Sequence, residues 1–225
     1  MRFTPRPVRF GRRPGNAEDE DDGLPTPAKI KLAARRAAGI AEAKAILEHL
    51  PGPGESLHAL VSSRMDLADI IGIILDKNGP CEQMMVATLG YHRRNLKTLL
   101  AWLDTGAVRS LSLVASIFFR SHNGDLWEET LAEFRQRKQR AACCNCHAKV
   151  VTMRFATGQR LSVEGSMNLA GNGSVLEQFA LINDGGLHDF HGGWIGALLD
   201  KYEGKNDEHP GQKTKAQQSH HHAAD

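Results

Sequence analysis

Four polar residues between positions 147 and 168 have types and spacing that suit catalysis. His147 and Lys149 stand two residues apart, and Ser166 and Asn168 stand two apart on the next predicted strand. Because side chains alternate across a strand, each pair is expected to project from a single face. Histidine can attack as a nucleophile or transfer a proton, and lysine, hydroxyl and amide groups can bind developing negative charge. These residue types therefore suit nucleophilic or acid–base chemistry on an anionic group.

Glu177 adds a carboxylate to this set. On its predicted strand it alternates with Val175, Phe179 and Leu181, so it falls within an apolar stripe. A carboxylate removed from water needs a partner. The pattern therefore predicts that Glu177 interacts with another group of the set.

Three short segments carry a resemblance to a known family. Residues 146–150, 164–168 and 175–179 read CHAKV, EGSMN and VLEQF. They resemble the second part of the phospholipase D superfamily motif, in which His-x-Lys is followed by Gly-Ser-x-Asn. The Ser-Met-Asn-Leu ending before Leu-Glu-Gln-Phe is similar to the phage- and plasmid-borne branch of that superfamily. The resemblance extends over residues 56–200, although the motif residues all lie between 147 and 178.

The resemblance implies a mechanism and assigns catalytic roles. His147 is expected to attack a phosphodiester and form a covalent phosphohistidine. Lys149, Ser166 and Asn168 are expected to bind the non-bridging oxygens and stabilise their charge. Glu177 is expected to orient His147 and to fix its tautomer. No metal and no cofactor is expected to take part.

Three further residues are predicted to contact substrate. Gly165 is expected to let the backbone and a phosphate approach closely. His92 and Arg93 follow the second predicted strand, at the end where open α/β sheets bind ligands. The alternative for His92 and Arg93 is a solvated helix start, and the sequence favours neither interpretation.

Arg154 departs from the family pattern, which has an aspartate five residues after the lysine. Seven residues separate His147 from this position, so on one regular strand the two side chains would point to opposite faces. Arg154 would then replace a structural group rather than a phosphate ligand. The fold is expected to hold, whereas catalysis or its loss is left open.

A second His-x-Lys pair is missing. No other histidine of the sequence is followed by a lysine two positions later. A complete site of this kind needs two histidines on opposite sides of the phosphorus. The chain is therefore expected to form a homodimer in which two copies of His147 share a site on the two-fold axis.

Charge is concentrated in the N-terminal segment, although the formal net charge is only +2. Residues 1–26 are predicted to be a disordered tail, as are residues 203–225, which include three consecutive histidines at 220–222. The arginines of the N-terminal tail could neutralise nucleic-acid phosphates, or could contact the acidic run at 18–22 instead. These arginines are Arg2, Arg6, Arg9, Arg12 and Arg13.

The four cysteines predict a reducing environment, and so a cytoplasmic location. Cys143, Cys144 and Cys146 crowd one segment instead of forming a spaced disulfide framework. On a strand, Cys143 and His147 would face away from Cys144 and Cys146, so a zinc site is not expected. No run of about 18 apolar residues is present, so no membrane span is expected.

Hydrophobic periodicity predicts an α/β fold. A helix is expected over residues 27–51, ahead of a phospholipase D-like domain over residues 56–202. That domain is predicted to be a mixed, mostly parallel sheet flanked by helices, because three strand–helix units follow one another. Its predicted strands are 57–61, 84–88, 108–116, 142–155, 160–166 and 175–183, with a last helix after residue 186.

The expected function is a metal-independent phosphodiesterase that acts on nucleic acid through a shared site. The alternative is a catalytically degenerate protein of the same fold that binds DNA without cleaving it. A lipid-cleaving enzyme ranks third, because no segment has the pattern of an interfacial helix.

Overall fold

The computed structural model describes residues 27–62, 64–170 and 175–205. The predicted N-terminal tail, and residues 206–225 of the predicted C-terminal tail, lie outside the described residues. The elements are α1 Pro27–Ile46, β1 Ser56–Ser62, α2 Leu67–Asn78, β2 Cys81–Thr88, α3 Arg93–Asp104, β3 Leu111–Ser116, α4 Ile117–His122, α5 Gly124–Gln136, β4 Arg140–Cys144, β5 Val150–Phe155, β6 Arg160–Gly165, β7 Leu176–Ile182 and α6 Gly185–Tyr202.

The seven strands form one mixed sheet in the order β1-β7-β6-β5-β2-β3-β4. The predicted α/β fold with a helix-flanked mixed sheet is confirmed. The expectation that most strand pairings are parallel is wrong. Two pairings are parallel, β2 with β3 and β3 with β4, and four are antiparallel. The reason is that β5, β6 and β7 are inserted between β1 and β2 as an antiparallel meander.

Most strands nevertheless have their carboxyl ends at the same edge of the sheet. The pairings make β1, β2, β3, β4 and β6 run one way and β5 and β7 the other. The carboxyl ends of five strands therefore meet the amino ends of β5 and β7. We call this edge the site edge, because ligands of open α/β sheets bind outside the carboxyl ends of the strands.

Helices cover the two faces of the sheet unequally. The larger core lies between the sheet and α1–α5, and includes Phe134, Phe155 and Phe179, each at most 2% exposed. The smaller core lies under α6, where Ile195 and Leu199 are fully buried. We call these the α2 face and the α6 face. Helix α1 belongs to the larger core through its C-terminal part.

Helix α2 shows how the sequence forms the larger core. Ile70, Ile71 and Ile74 recur at helical spacing, and all three are fully buried. The helix begins after Asp66, whose backbone N–H donates to the Asp69 carboxylate at 2.9 Å.

Residues 142–155 are not one strand, and this correction matters for the site. Strand β4 pairs with β3, whereas β5 pairs with the far side of β2. The chain must therefore cross the ends of β3 and β2 between them, and it does so in a loop over residues 145–149 at the site edge. His147 and Lys149 lie in this crossing loop rather than on a strand.

Within the part of the chain that the structure describes, no helix has the length and apolarity to cross a bilayer.

Candidate active site at the site edge

The crossing loop places His147 and Lys149 against each other. Lys149 Nζ lies 3.3 Å from His147 Nδ1 and donates to the His147 carbonyl oxygen at 3.0 Å. A protonated amine has no lone pair with which to accept a hydrogen bond, so Lys149 donates to His147 Nδ1. The imidazole is then neutral, with its proton on Nε2. His147 itself is exposed to solvent.

Lys149 is held at the margin of the protein interior. Burial lowers the pKa of its ammonium group, while the nearby Glu177 carboxylate and Cys146 sulfur act in the opposite direction. The direction follows from desolvation, which disfavours the charged form of an amine. Glu177 thus lies close enough to Lys149 to support its positive charge.

Glu177 is buried as predicted, at 8% exposure beside fully buried Phe179 and Leu181. Val175 is 47% exposed, so the apolar stripe begins only after Glu177. The Glu177 carboxylate accepts a hydrogen bond from the Ser166 hydroxyl. The predicted need for a partner is therefore met by Ser166, and the orientation of His147 by Glu177 stays a prediction.

Ser166 is fixed from two directions. Its Oγ donates to Glu177 and accepts from the Gln178 backbone N–H at 3.0 Å. A hydroxyl has only one proton to donate. The Ser166 hydroxyl can therefore donate to a bound phosphate only if its hydrogen bond to the Glu177 carboxylate breaks.

Backbone hydrogen bonds anchor the loop after Ser166 beneath the site edge. Leu169 N–H donates to Thr88 Oγ1 at 3.3 Å, and its carbonyl accepts from Asn95 Nδ2 at 3.0 Å. The Asn168 carbonyl accepts from Leu67 N–H at 3.4 Å. These bonds tie the loop to β2, α3 and α2.

Asn168 presents a buried polar atom. Its Oδ1 has no hydrogen-bond partner among the described residues. Burying such an atom unpaired costs about 1–3 kcal/mol, so a partner there would be stabilising. Its predicted contact with phosphate is untested, and Asn168 is not among the residues that line the cleft described below.

Gly165 is required for a structural reason. A Cβ on this residue would lie 2.2 Å from the Gln178 carbonyl oxygen and 2.8 Å from Phe179 Cα. Only glycine allows β6 and β7 to approach this closely. The proposed close approach of a phosphate is a separate role, and it stays a prediction.

An open cleft of about 690 Å³ joins these residues on the α6 face. It brings together four of the residues predicted from sequence, namely His147, Lys149, Gly165 and Ser166, with Glu177 bonded behind Ser166. The full lining is His58, His147, Ala148, Lys149, Val150, Glu164, Gly165, Ser166, Gln178 and Ala180.

His92 and Arg93 do not line this cleft. The His92 backbone N–H donates to Asn95 Oδ1 at 2.9 Å, at the start of α3. Arg93 is half-exposed and forms an ion pair with Glu129 at 2.9 Å. Both observations fit a helix start, the alternative interpretation of this segment.

Arg154 lies far from the cleft. It is exposed, and it pairs in register with Gln83 and Arg160. Five residues along a strand separate it from Lys149, a distance of about 16 Å. The prediction that His147 and Arg154 point to opposite faces of one strand is wrong, because His147 lies in the crossing loop before β5 begins. Arg154 is kept from the cleft by its distance along β5 instead.

Sequence reasoning missed six of the ten lining residues, and four of these six come together only through strand pairing. On the α6 face, His58 pairs with Ala180, Ala180 with Glu164, and Glu164 with Val150. His58 is some 120 residues from its neighbours, so nothing local signals its place. Glu164 directly precedes the Gly-Ser motif, and its alternation with Leu161 and Val163 was a usable signal.

The cysteines divide between the two cores. Cys143 lies in the larger core and Cys144 and Cys146 in the smaller one, so these cysteines face opposite ways as predicted. The prediction that His147 shares the face of Cys143 is wrong, because His147 lies in the crossing loop and lines the cleft on the α6 face. A hydrogen bond with Cys144 lowers the pKa of the Cys146 thiol to about 6, helped by Lys149.

Comparisons with known proteins give structural likeness only. No protein-family model matches the chain, and no curated protein sequence does. Among solved structures, the chain is similar to Nuc from Salmonella typhimurium, a phospholipase D family member, with 13% identity over 66% of this chain and 97% of that chain at a TM-score of 0.47.

Two other solved structures are similar to the same degree. NucT from Helicobacter pylori shares 12% identity over 67% of this chain and 100% of that chain, with a TM-score of 0.48. TrmBL2, an archaeal chromatin protein with a novel mode of DNA binding, shares 13% over 78% of this chain and 65% of that chain, with a TM-score of 0.47. These likenesses do not decide the family, and the resemblance of the motif residues to the phospholipase D superfamily stays a prediction.

Proposed function

We propose that the chain is a metal-independent phosphodiesterase that acts on nucleic acid with His147 as its nucleophile. One observation carries the proposal. The crossing loop and the β6–β7 pair place His147, Lys149 and the Glu177-anchored Ser166 in a single open cleft. A nucleophile, a cation and a fixed hydroxyl together suit attack on a phosphodiester anion.

The proposed reaction has two steps. His147 Nε2 attacks phosphorus, and the bond to the leaving oxygen breaks as a second histidine protonates that oxygen. Water then attacks the phosphohistidine, gives its proton to the second histidine and releases the phosphomonoester. In the substrate-free chain Lys149 contacts His147 Nδ1. When Lys149 turns to a phosphate oxygen, Nδ1 can carry the proton, which leaves Nε2 free to attack.

Cleavage is expected to persist in EDTA, because histidine and lysine supply the nucleophile and the positive charge that a metal supplies elsewhere. The assay uses single- and double-stranded DNA and RNA, with bis(4-nitrophenyl) phosphate as a chromogenic diester. Activity that vanishes in EDTA and returns with magnesium or zinc would contradict the mechanism. A salt-sensitive gel shift without cleavage would support the alternative, a binding protein.

A homodimer is part of the proposal, since one chain contributes a single His-x-Lys pair. Beside the cleft, the described residues leave the α6 face of β1 and β7 partly exposed. Leu60 is 66% exposed and Leu176 is 70% exposed, and both share this face with Gln178. A second copy packed there would cover these leucines and bring its own His147 toward the cleft.

The free thiols of the cysteines suit the cytoplasmic location that we propose.

The shared site predicts that an inactive chain poisons its partner. Refolding His147→Ala with an equal amount of unaltered chain should leave about a quarter of the activity, since random pairing leaves about a quarter of dimers intact. Independent sites would retain about half. Differently tagged chains verify that subunits exchange. With exchange verified, a value near half would exclude the shared site.

A further inference from the structure

Glu164 places a negative charge in a cleft that would bind an anion. Its side chain is 41% exposed and lines the cleft with His147 and Lys149. It pairs with Val150, the residue after Lys149, on the α6 face. Neither the nucleophile nor the oxygen-binding groups of the proposed function account for a carboxylate here.

A buried histidine holds this carboxylate in place. Glu164 Oε2 lies 3.1 Å from Nε2 of His191, a residue of α6 that is 6% exposed. The other ring nitrogen, Nδ1, accepts a hydrogen bond from the Trp194 indole N–H at 3.0 Å. An indole N–H only donates, so Nδ1 carries no proton and Nε2 donates to Glu164. His191 thus contributes a hydrogen bond without a positive charge.

We propose that Glu164 makes the cleft select phosphodiesters over phosphomonoesters. The inference rests on the proposed function, and it names the substrate class of that same site. A diester carries a single negative charge, whereas the monoester product carries close to two at neutral pH. The carboxylate that His191 fixes repels the second charge, while Lys149 still attracts the first.

The size of the effect follows from charge. Coulomb energy scales with the product of the charges, so the binding factor for a dianion is the square of that for a monoanion. Glu164→Gln removes the charge and keeps an acceptor for His191. We expect it to tighten binding of a diester about threefold and of a monoester about tenfold in so open a cleft.

The test is direct binding by calorimetry, at pH 8, to the full chain carrying His147→Ala so that no turnover intervenes. The probes are bis(4-nitrophenyl) phosphate and 4-nitrophenyl phosphate. Glu164→Asp keeps the charge and should leave both constants within about twofold. Glu128→Gln, an exposed carboxylate on α5 across the sheet, is the matched control and should change neither.

Each outcome decides the inference separately from the phosphodiesterase proposal. A larger gain for the monoester with Glu164→Gln supports it, even if the chain with His147 proves to have no turnover. Equal gains, no gain, or an aspartate variant that behaves like the glutamine variant would overturn it. Absence of binding by both esters to every variant would overturn it as well, because the cleft would not be an anion site.

Discussion

Replacing His147 with alanine is expected to lower diester turnover at least about a thousandfold, because the variant loses the attacking atom. His147 is exposed in a loop, so the fold should not depend on it. His49→Ala is a matched control, since His49 is also exposed but precedes β1, at the opposite edge of the sheet. Steady-state kinetics with bis(4-nitrophenyl) phosphate provide the measurement. Turnover that is similar in both variants would remove His147 from the chemistry.

Glu177→Gln is expected to lower kcat about tenfold or more, because the carboxylate fixes Ser166 and supports the charge on Lys149. It should also move the alkaline limit of activity. Lys149 binds phosphate only when protonated, and activity falls as pH rises through its pKa. Without Glu177 that pKa drops further, so the limit shifts to lower pH.

Arg154→Ala is the control for this prediction. Arg154 is exposed and lies about 16 Å along β5 from Lys149, so its loss should change neither kcat nor the alkaline limit. Circular dichroism establishes that both variants are folded. If the two substitutions caused equal losses, or if Glu177→Gln left the alkaline limit in place, Glu177 would have no positioning role.

Local patterns predicted which polar residues would come together. Residue types, spacing and the family resemblance placed His147, Lys149 and Ser166 in one predicted site, and the structure brings the three into one cleft. The burial of Glu177 was predicted from alternation alone, because a period of two defines a strand face regardless of which strand lies next to it.

Pairing between distant strands was not predictable in the same way. Nothing in the local sequence indicates that β1 pairs with β7 and is one outer strand of the sheet, or that β4 is the other outer strand. In the sequence, residues 142–155 looked like one strand. Both β4 and β5 are buried, so both are apolar and no change of pattern marks the loop between them. Only the positions of β4 beside β3 and β5 beside β2 require the crossing loop.

The same limit explains the residues that were missed or given another role. Gly165 was read as a phosphate contact, yet the approach of β7 already requires glycine there. His58 and His191 reach the site region only through sheet pairing and the packing of α6. Their roles depend on neighbours that are far away in the chain.

In the proposed mechanism His147 forms a covalent bond to phosphorus without a metal. The full chain is mixed with a nucleic-acid diester in EDTA, quenched in alkaline denaturant, and digested for peptide mass spectrometry. We expect a phosphoryl adduct on His147 during turnover, and none in the His147→Ala chain. Turnover in EDTA with the adduct on another residue, or with no adduct at all, would contradict it.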